Sequence, residues 1–153
     1  MIKFGTGGWR AVIGDIFTRS NIRRVAHALA KRMQEERVAH EGVCVGYDRR
    51  FLSKESMHWA AEVLAAYGFR PYVINRSVPT PMIMFTAKQM GVPYGMAITA
   101  SHNPAIYNGI KVFTAGGRDA DRAVTAKIEG EMEKIDPAAI PGIDYEEALK
   151  AGI

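Results

Sequence analysis

The stretch "VCVGYDRRFLSKESMHWAAEVLAAYGFRPYVIN", residues 43–75, decides the fold. Val43 to Asp48 is a short apolar run that ends in charged residues, the pattern of a buried strand reaching a sheet edge. Ser53 then reads as an N-cap with Glu55 in the first turn, and Met57, Ala60, Ala61 and Leu64 recur on one helix face as far as about Tyr67. Gly68 reads as the helix stop, and residues 70–75 read as the next strand. Strand, helix and strand in this order imply parallel strands, a right-handed crossover, and ligand sites at the carboxyl ends of the strands.

The alternation extends in both directions. Upstream, Ile22, Val25, Ala26, Leu29, Ala30 and Met33 predict a helix over 21–37, with Arg23, Arg24, Lys31, Arg32 and Glu35 mostly on its solvated side. Downstream, "VPTPMIMFTAKQM" (78–90) reads as a helix with Thr80 as cap and Pro81 at its first position. Met96-Ala97-Ile98 predicts a buried strand running into Thr99-Ala100, and Ile110 to Phe113 predicts a strand returning antiparallel to it. Between them, Pro104 favours an extended Asn103, and Asn108-Gly109 reads as a turn with positive φ. A last helix is predicted from about Asp119 to Lys134, after Gly116-Gly117. The fold class is therefore α/β: a three-layer α/β/α sandwich around a mainly parallel mixed sheet whose last strand is antiparallel. Residues 1–135 form that domain. Residues 136–153, with Pro137, Pro141 and Gly142, read as a linker toward an absent second domain.

Composition narrows the function classes. A chain of 153 residues is one ordinary domain with room for a core. Lys and Arg number 20 against 16 Asp and Glu, a net charge of +4, but the cations are scattered and no aromatic-interleaved basic patch occurs. That pattern disfavours nucleic acid and suits a phosphorylated small substrate. Cys44 is the single cysteine, inside an apolar run, so disulfides and zinc fingers are excluded and the thiol reads as a small core residue. No apolar run approaches the ~20 residues of a membrane span and no leader pattern opens the chain, so a cytoplasmic protein without membrane contact is expected.

Three polar constellations remain. "TASHNPAIYNGIKV" (99–112) places Ser101, His102 and Asn103 at a strand end. A hydrolytic triad is a poor fit, because the G-x-S-x-G elbow is missing and His102, as the next residue, cannot easily turn back on Ser101. "FGTGGWRA" (4–11) has Gly5, Gly7 and Gly8 before Trp9-Arg10, a backbone that could bring amides and a guanidinium to an anion, although no nucleotide-binding fingerprint is present. "GYDRRFLS" (46–53) sets Asp48 and Arg50 at a strand's carboxyl end, where an ion pair fixing the turn is the simplest role. The run "RDADR" (118–122) resembles a carboxylate metal site, but Asp119 and Asp121 at a helix opening read first as cap and dipole partners.

With "VPTPM" (78–82) added, these motifs in this order and spacing resemble the first domain of the α-D-phosphohexomutases, the phosphoglucomutase and phosphomannomutase family. The resemblance spans nearly the whole chain from Phe4 to the last predicted helix. It implies that Ser101 carries a phosphoryl group and passes it to a hexose phosphate, through a hexose bisphosphate that also serves as primer. It implies further that Lys111 lies near the reacting oxygens as acid or base, that Arg10 and Asn103 line the phosphate site, and that His102 flanks the phosphoserine. Gly7 departs from the Ser or Asp usual in the family. In the family Mg²⁺ is held by an Asp-Gly-Asp-x-Asp loop of the second domain together with the phosphate on the serine; Ser101 is thus the one metal contact in this chain, which has no such loop. The remaining domains of a parent enzyme are accordingly the expected partners, alongside hexose phosphate, and the isolated chain is expected to be inactive. The alternative is a free-standing sugar-phosphate-binding or regulatory module without catalysis.

Overall fold

A computed structural model describes residues 2–5, 8–38 and 41–153. Six strands and five α-helices follow one another as β1 (Trp9–Val12), α1 (Arg19–Glu35), β2 (Val43–Tyr47), α2 (Ser53–Ala66), β3 (Pro71–Val73), α3 (Thr80–Met90), β4 (Tyr94–Ile98), β5 (Tyr107–Thr114), β6 (Arg118–Asp119), α4 (Arg122–Lys134) and α5 (Tyr145–Lys150). The sheet order is β1-β5-β4-β2-β3, with β6 also paired to β5. β2 pairs in parallel with β3 and β4, while β5 is antiparallel to β1, β4 and β6. Five strands therefore point one way and β5 alone opposes them.

Alternation along the strands builds the two outer layers. Val43, Val45 and Tyr47 of β2, with Met96, Ile98, Ile110 and Val112, face α1, α2 and α4 in the larger core. Cys44, Ala97 and Phe113 face the other way, against Ile83 and Ala87 of α3. Met96, Ile98 and Ile110 have no exposed surface, and each such side chain contributes about 1.5–3 kcal/mol. The three-layer α/β/α arrangement expected from the sequence is the one observed.

Several local expectations are corrected. β1 is an addition to them: a run of only WRAV behind a glycine-rich opening carries little strand signal. Asn108-Gly109 is no turn but lies inside β5, opposite Ala11 and Arg10. Gly109 is required by close approach instead, since a Cβ there would come 2.1 Å from the Trp9 carbonyl oxygen. Leu52, at φ +61°, precedes α2, and Ser53 is its first helical residue; Ser53 does not cap the backbone. Pro79 rather than Thr80 occupies the cap position of α3. Asp119 belongs to β6, and α4 begins only after Asp121, whose carboxylate accepts from the Val124 amide at 2.9 Å as its N-cap.

Residues beyond α4 pack back on the domain. Arg23 donates to the Ile140 carbonyl at 2.7 Å, the Ile143 amide donates to Glu62 O at 3.1 Å, and Tyr145 stacks on His58 of α2 with ring centroids 3.8 Å apart.

Candidate functional site

The candidate site is set by sheet register. Ile98 lies opposite Ile110, and the pairing continues as the Thr99 amide donates to Gly109 O at 2.9 Å. Gly109 in turn lies opposite Arg10. Residues directly opposed across antiparallel strands share a face, so Thr99, Gly109 and Arg10 form one row at the carboxyl edge of β4. Lys111, two residues along β5, stands on the same face in the next row. Gly8 approaches it there, where a Cβ would lie 3.0 Å from Lys111 Cγ. Two glycines thus leave the sheet surface bare between Arg10 and Lys111.

The Ser101 loop leaves from this edge. Ser101 adopts a left-handed backbone, φ +56°, which costs an L-residue roughly 1–2 kcal/mol. Its amide donates to Oγ1 of the buried Thr99 at 3.0 Å, and its hydroxyl is exposed. His102 Nδ1 stands 3.4 Å from Ser101 Oγ, long for a hydroxyl hydrogen bond, so His102 flanks the serine without gripping it. Asn103 is half-buried, its amide donating to Ala100 O at 3.1 Å.

The cations differ in their engagement. Arg10 has a buried Nε with no hydrogen-bond partner among the described residues. Lys111 Nζ lies 2.9 Å from Asp119 Oδ1, so the carboxylate singled out as a cap holds a lysine instead. Asp121 is engaged as a cap, and no group of three or more His, Cys, Asp or Glu suited to a metal occurs among the described residues.

Arg50 has a larger role than its sequence position indicated. The Asp48 ion pair is present, with Nε 3.5 Å from Oδ2. Beyond it, Nη1 donates to the carbonyls of Pro104 (2.9 Å) and Tyr107 (3.0 Å), and Nη2 to those of Ser101 (2.8 Å) and Asn103 (2.6 Å). Asp48 is itself fixed by the Ser53 hydroxyl at 2.8 Å, and the buried Asn108 donates to Ser53 Oγ at 2.9 Å. The Asp-x-Arg spacing at a strand end was the available signal; the loop it holds is remote in sequence. The departure at Gly7 lies outside the described residues.

A hollow of about 750 Å³ lies elsewhere, between α2, β3, α3 and α5. It borders the opposite edge strand and receives none of Ser101, Lys111 or Arg10.

Comparison with known proteins agrees with this layout. Residues 1–139 match the family described as phosphoglucomutase/phosphomannomutase, alpha/beta/alpha domain I, and the chain belongs to that family as its first domain. It is 37% identical over 143 residues to a protein of Schizosaccharomyces pombe named as a probable phosphoribomutase, covering 88% of this chain and 24% of that one. A phosphoglucomutase of Staphylococcus haemolyticus is 29% identical, with 97% and 27% covered. The crystal structure of a Thermus thermophilus protein assigned as a phosphomannomutase superposes with a TM-score of 0.84 at 32% identity, covering 99% of this chain and 36% of that one. The chain thus spans about a quarter of the curated relatives' length. No helix among the described residues is long and apolar enough to cross a membrane.

Proposed function

We propose that the chain is the phosphoserine domain of a sugar-phosphate mutase, with Ser101 as the residue that carries the phosphoryl group between two positions of one sugar. The observation that carries this reading is the pairing of an exposed, backbone-constrained Ser101 with Arg10, whose Nε has no partner among the described residues, on the same sheet edge. A sugar hydroxyl attacks the phosphorus of phosphoserine as the bond from phosphorus to Ser101 Oγ breaks; the hydroxyl proton passes to a neighbouring base, and Ser101 Oγ takes up a proton as it leaves. Reversal at the sugar's other phosphate restores phosphoserine and delivers the isomer. A bisphosphate primer charges Ser101 at the outset.

Such a transfer depends on alignment and on neutralising charge rather than on covalent help. Phosphoserine brings about −1.5 to −2 charges, which Arg10 and Lys111 offset, while Asn103 and His102 border the phosphate. Lys111 is also placed to exchange a proton with the sugar oxygen once its contact with Asp119 loosens. Mg²⁺ prefers several hard oxygen ligands, of which this chain would supply one, a phosphate oxygen on Ser101. When bound it lowers the charge on the transferring group. The other ligands, and the groups that choose the sugar, belong to further domains toward which residues 136–153 lead.

The first substrates to test are hexose 1- and 6-phosphates. A pentose phosphate is the second reading, favoured by the 37% identity to the protein named as a phosphoribomutase. In the full-length protein, Ser101→Ala should abolish conversion of every sugar phosphate that the wild type turns over, while shifting stability by no more than about 0.5 kcal/mol. A loss of stability of several times that size would make Ser101 structural. The isolated 153-residue chain should fold yet convert neither sugar class.

A further inference from the structure

We propose that Arg50 is a positioning residue whose guanidinium fixes the backbone of the Ser101 loop and so aims the serine hydroxyl; the proposal rests on the assignment of Ser101 above. A guanidinium has five N–H donors. In Arg50 the four Nη hydrogens go to the carbonyls of Ser101, Asn103, Pro104 and Tyr107, while Nε lies in an ion pair 3.5 Å from Asp48 Oδ2. No Nη hydrogen is left for a phosphate or a sugar, in contrast to Arg10, whose Nε meets no partner among the described residues. Two arginines at one edge therefore divide the work: Arg10 is free to meet an anion, and Arg50 is committed to the chain.

The clamp is itself held. The Arg50 amide donates to Asp48 Oδ1 at 2.9 Å, so the carboxylate grips its partner by backbone and side chain together. Ser53 and Asn108 extend this to the start of α2 and to β5. The loop is tied in this way to the turn before α2 as well as to its own two ends. A left-handed non-glycine residue persists only where its surroundings over-determine it. For Ser101 those constraints are Thr99 Oγ1 on its amide and Arg50 on its carbonyl. A lysine in place of Arg50 keeps the charge but lacks the planar fork needed for carbonyls from both arms of the loop.

The test uses the full-length protein with Arg50→Lys, Asp48→Asn and, in parallel, Ser101→Ala. Amide exchange is read at Ser101, Asn103 and Tyr107, whose N–H groups donate to Thr99 Oγ1, Ala100 O and Pro104 O, and is compared with α1 and β2. Arg50→Lys should speed exchange in the loop by about tenfold or more while leaving α1 and β2 protected. It should lower kcat by about a hundredfold, as expected of a misplaced reacting group, with KM for the sugar phosphate held within about twofold. Asp48→Asn should move both readouts in the same direction by less. Unchanged loop exchange, or unchanged kcat in a protein that Ser101→Ala inactivates, would overturn the clamp. Loss of protection throughout the domain would also overturn it, by showing a general structural role. Turnover surviving in Ser101→Ala would instead overturn the nucleophile assignment, and the exchange measurement alone would then decide for or against the clamp.

Discussion

Lys111 illustrates how one side chain's role depends on its neighbours. Its side chain is one-sixth exposed and its ammonium group is held by Asp119, with Gly8 packed on its stem. In the proposed reaction it meets charge that develops only during transfer, so Lys111→Met should lower kcat more than it raises KM. Steady-state kinetics on the full-length protein check this; a raised KM with unchanged kcat would assign Lys111 to ground-state binding. The sequence pointed to Lys111 and Ser101 through a motif, whereas Asp119 was read as a helix cap, because a two-residue strand carries no periodic signal. Arg50 was visible only as half of a local ion pair. Its other acceptors lie more than fifty residues on, and nothing local encodes such a contact.

At the level of elements, hydrophobic alternation made β2, β4, α1 and α2 legible, and boundary errors of one to three residues fall at helix ends. Asn108-Gly109 misled because the dipeptide's turn preference yielded to tertiary packing: Asn108 is fully buried and donates to Phe51 O at 3.0 Å as well as to Ser53. β1 exists because Gly109 lets its backbone come close, with a would-be Cβ 2.1 Å from Trp9 O and 2.9 Å from Thr99 O. Gly109→Ala should therefore push β1 away from β5 at a cost of about 3 kcal/mol, detached Arg10 included. Denaturant unfolding measures the loss, and a change below about 0.5 kcal/mol would mean that the strands separate freely.

For the molecule as a whole, the buried His27 joins α1 to α2 through Tyr67, whose hydroxyl lies 2.6 Å from Nδ1. Burial, and then the charge of Lys31, hold this imidazole below its ordinary value against a smaller opposing pull from Glu131. His58, beneath Tyr145, is lowered by its burial in the same direction. The folded domain thus binds fewer protons than the unfolded chain just below the ordinary imidazole value of about 6.5. Stability from these groups is complete above that value and is lost as pH falls through the lower folded values. Tm should drop between about pH 7 and pH 5, and His27→Gln should shrink that drop; an equal drop in the variant would place the acid sensitivity elsewhere. The three-layer architecture, the sheet direction and the edge that carries Ser101 all followed from the sequence, since each rests on alternation or on a motif. The packing of residues beyond α4 on α1 and α2 did not, because it rests on a few contacts such as Ile143 with Glu62. The central claim, that Ser101 carries the phosphoryl group, is tested most directly by mapping phosphopeptides of the full-length protein before and after incubation with a sugar monophosphate. The account predicts one phosphoryl group on Ser101 that leaves to the sugar; a phosphoryl group on another residue, or one on Ser101 that sugar phosphate fails to discharge, would contradict it.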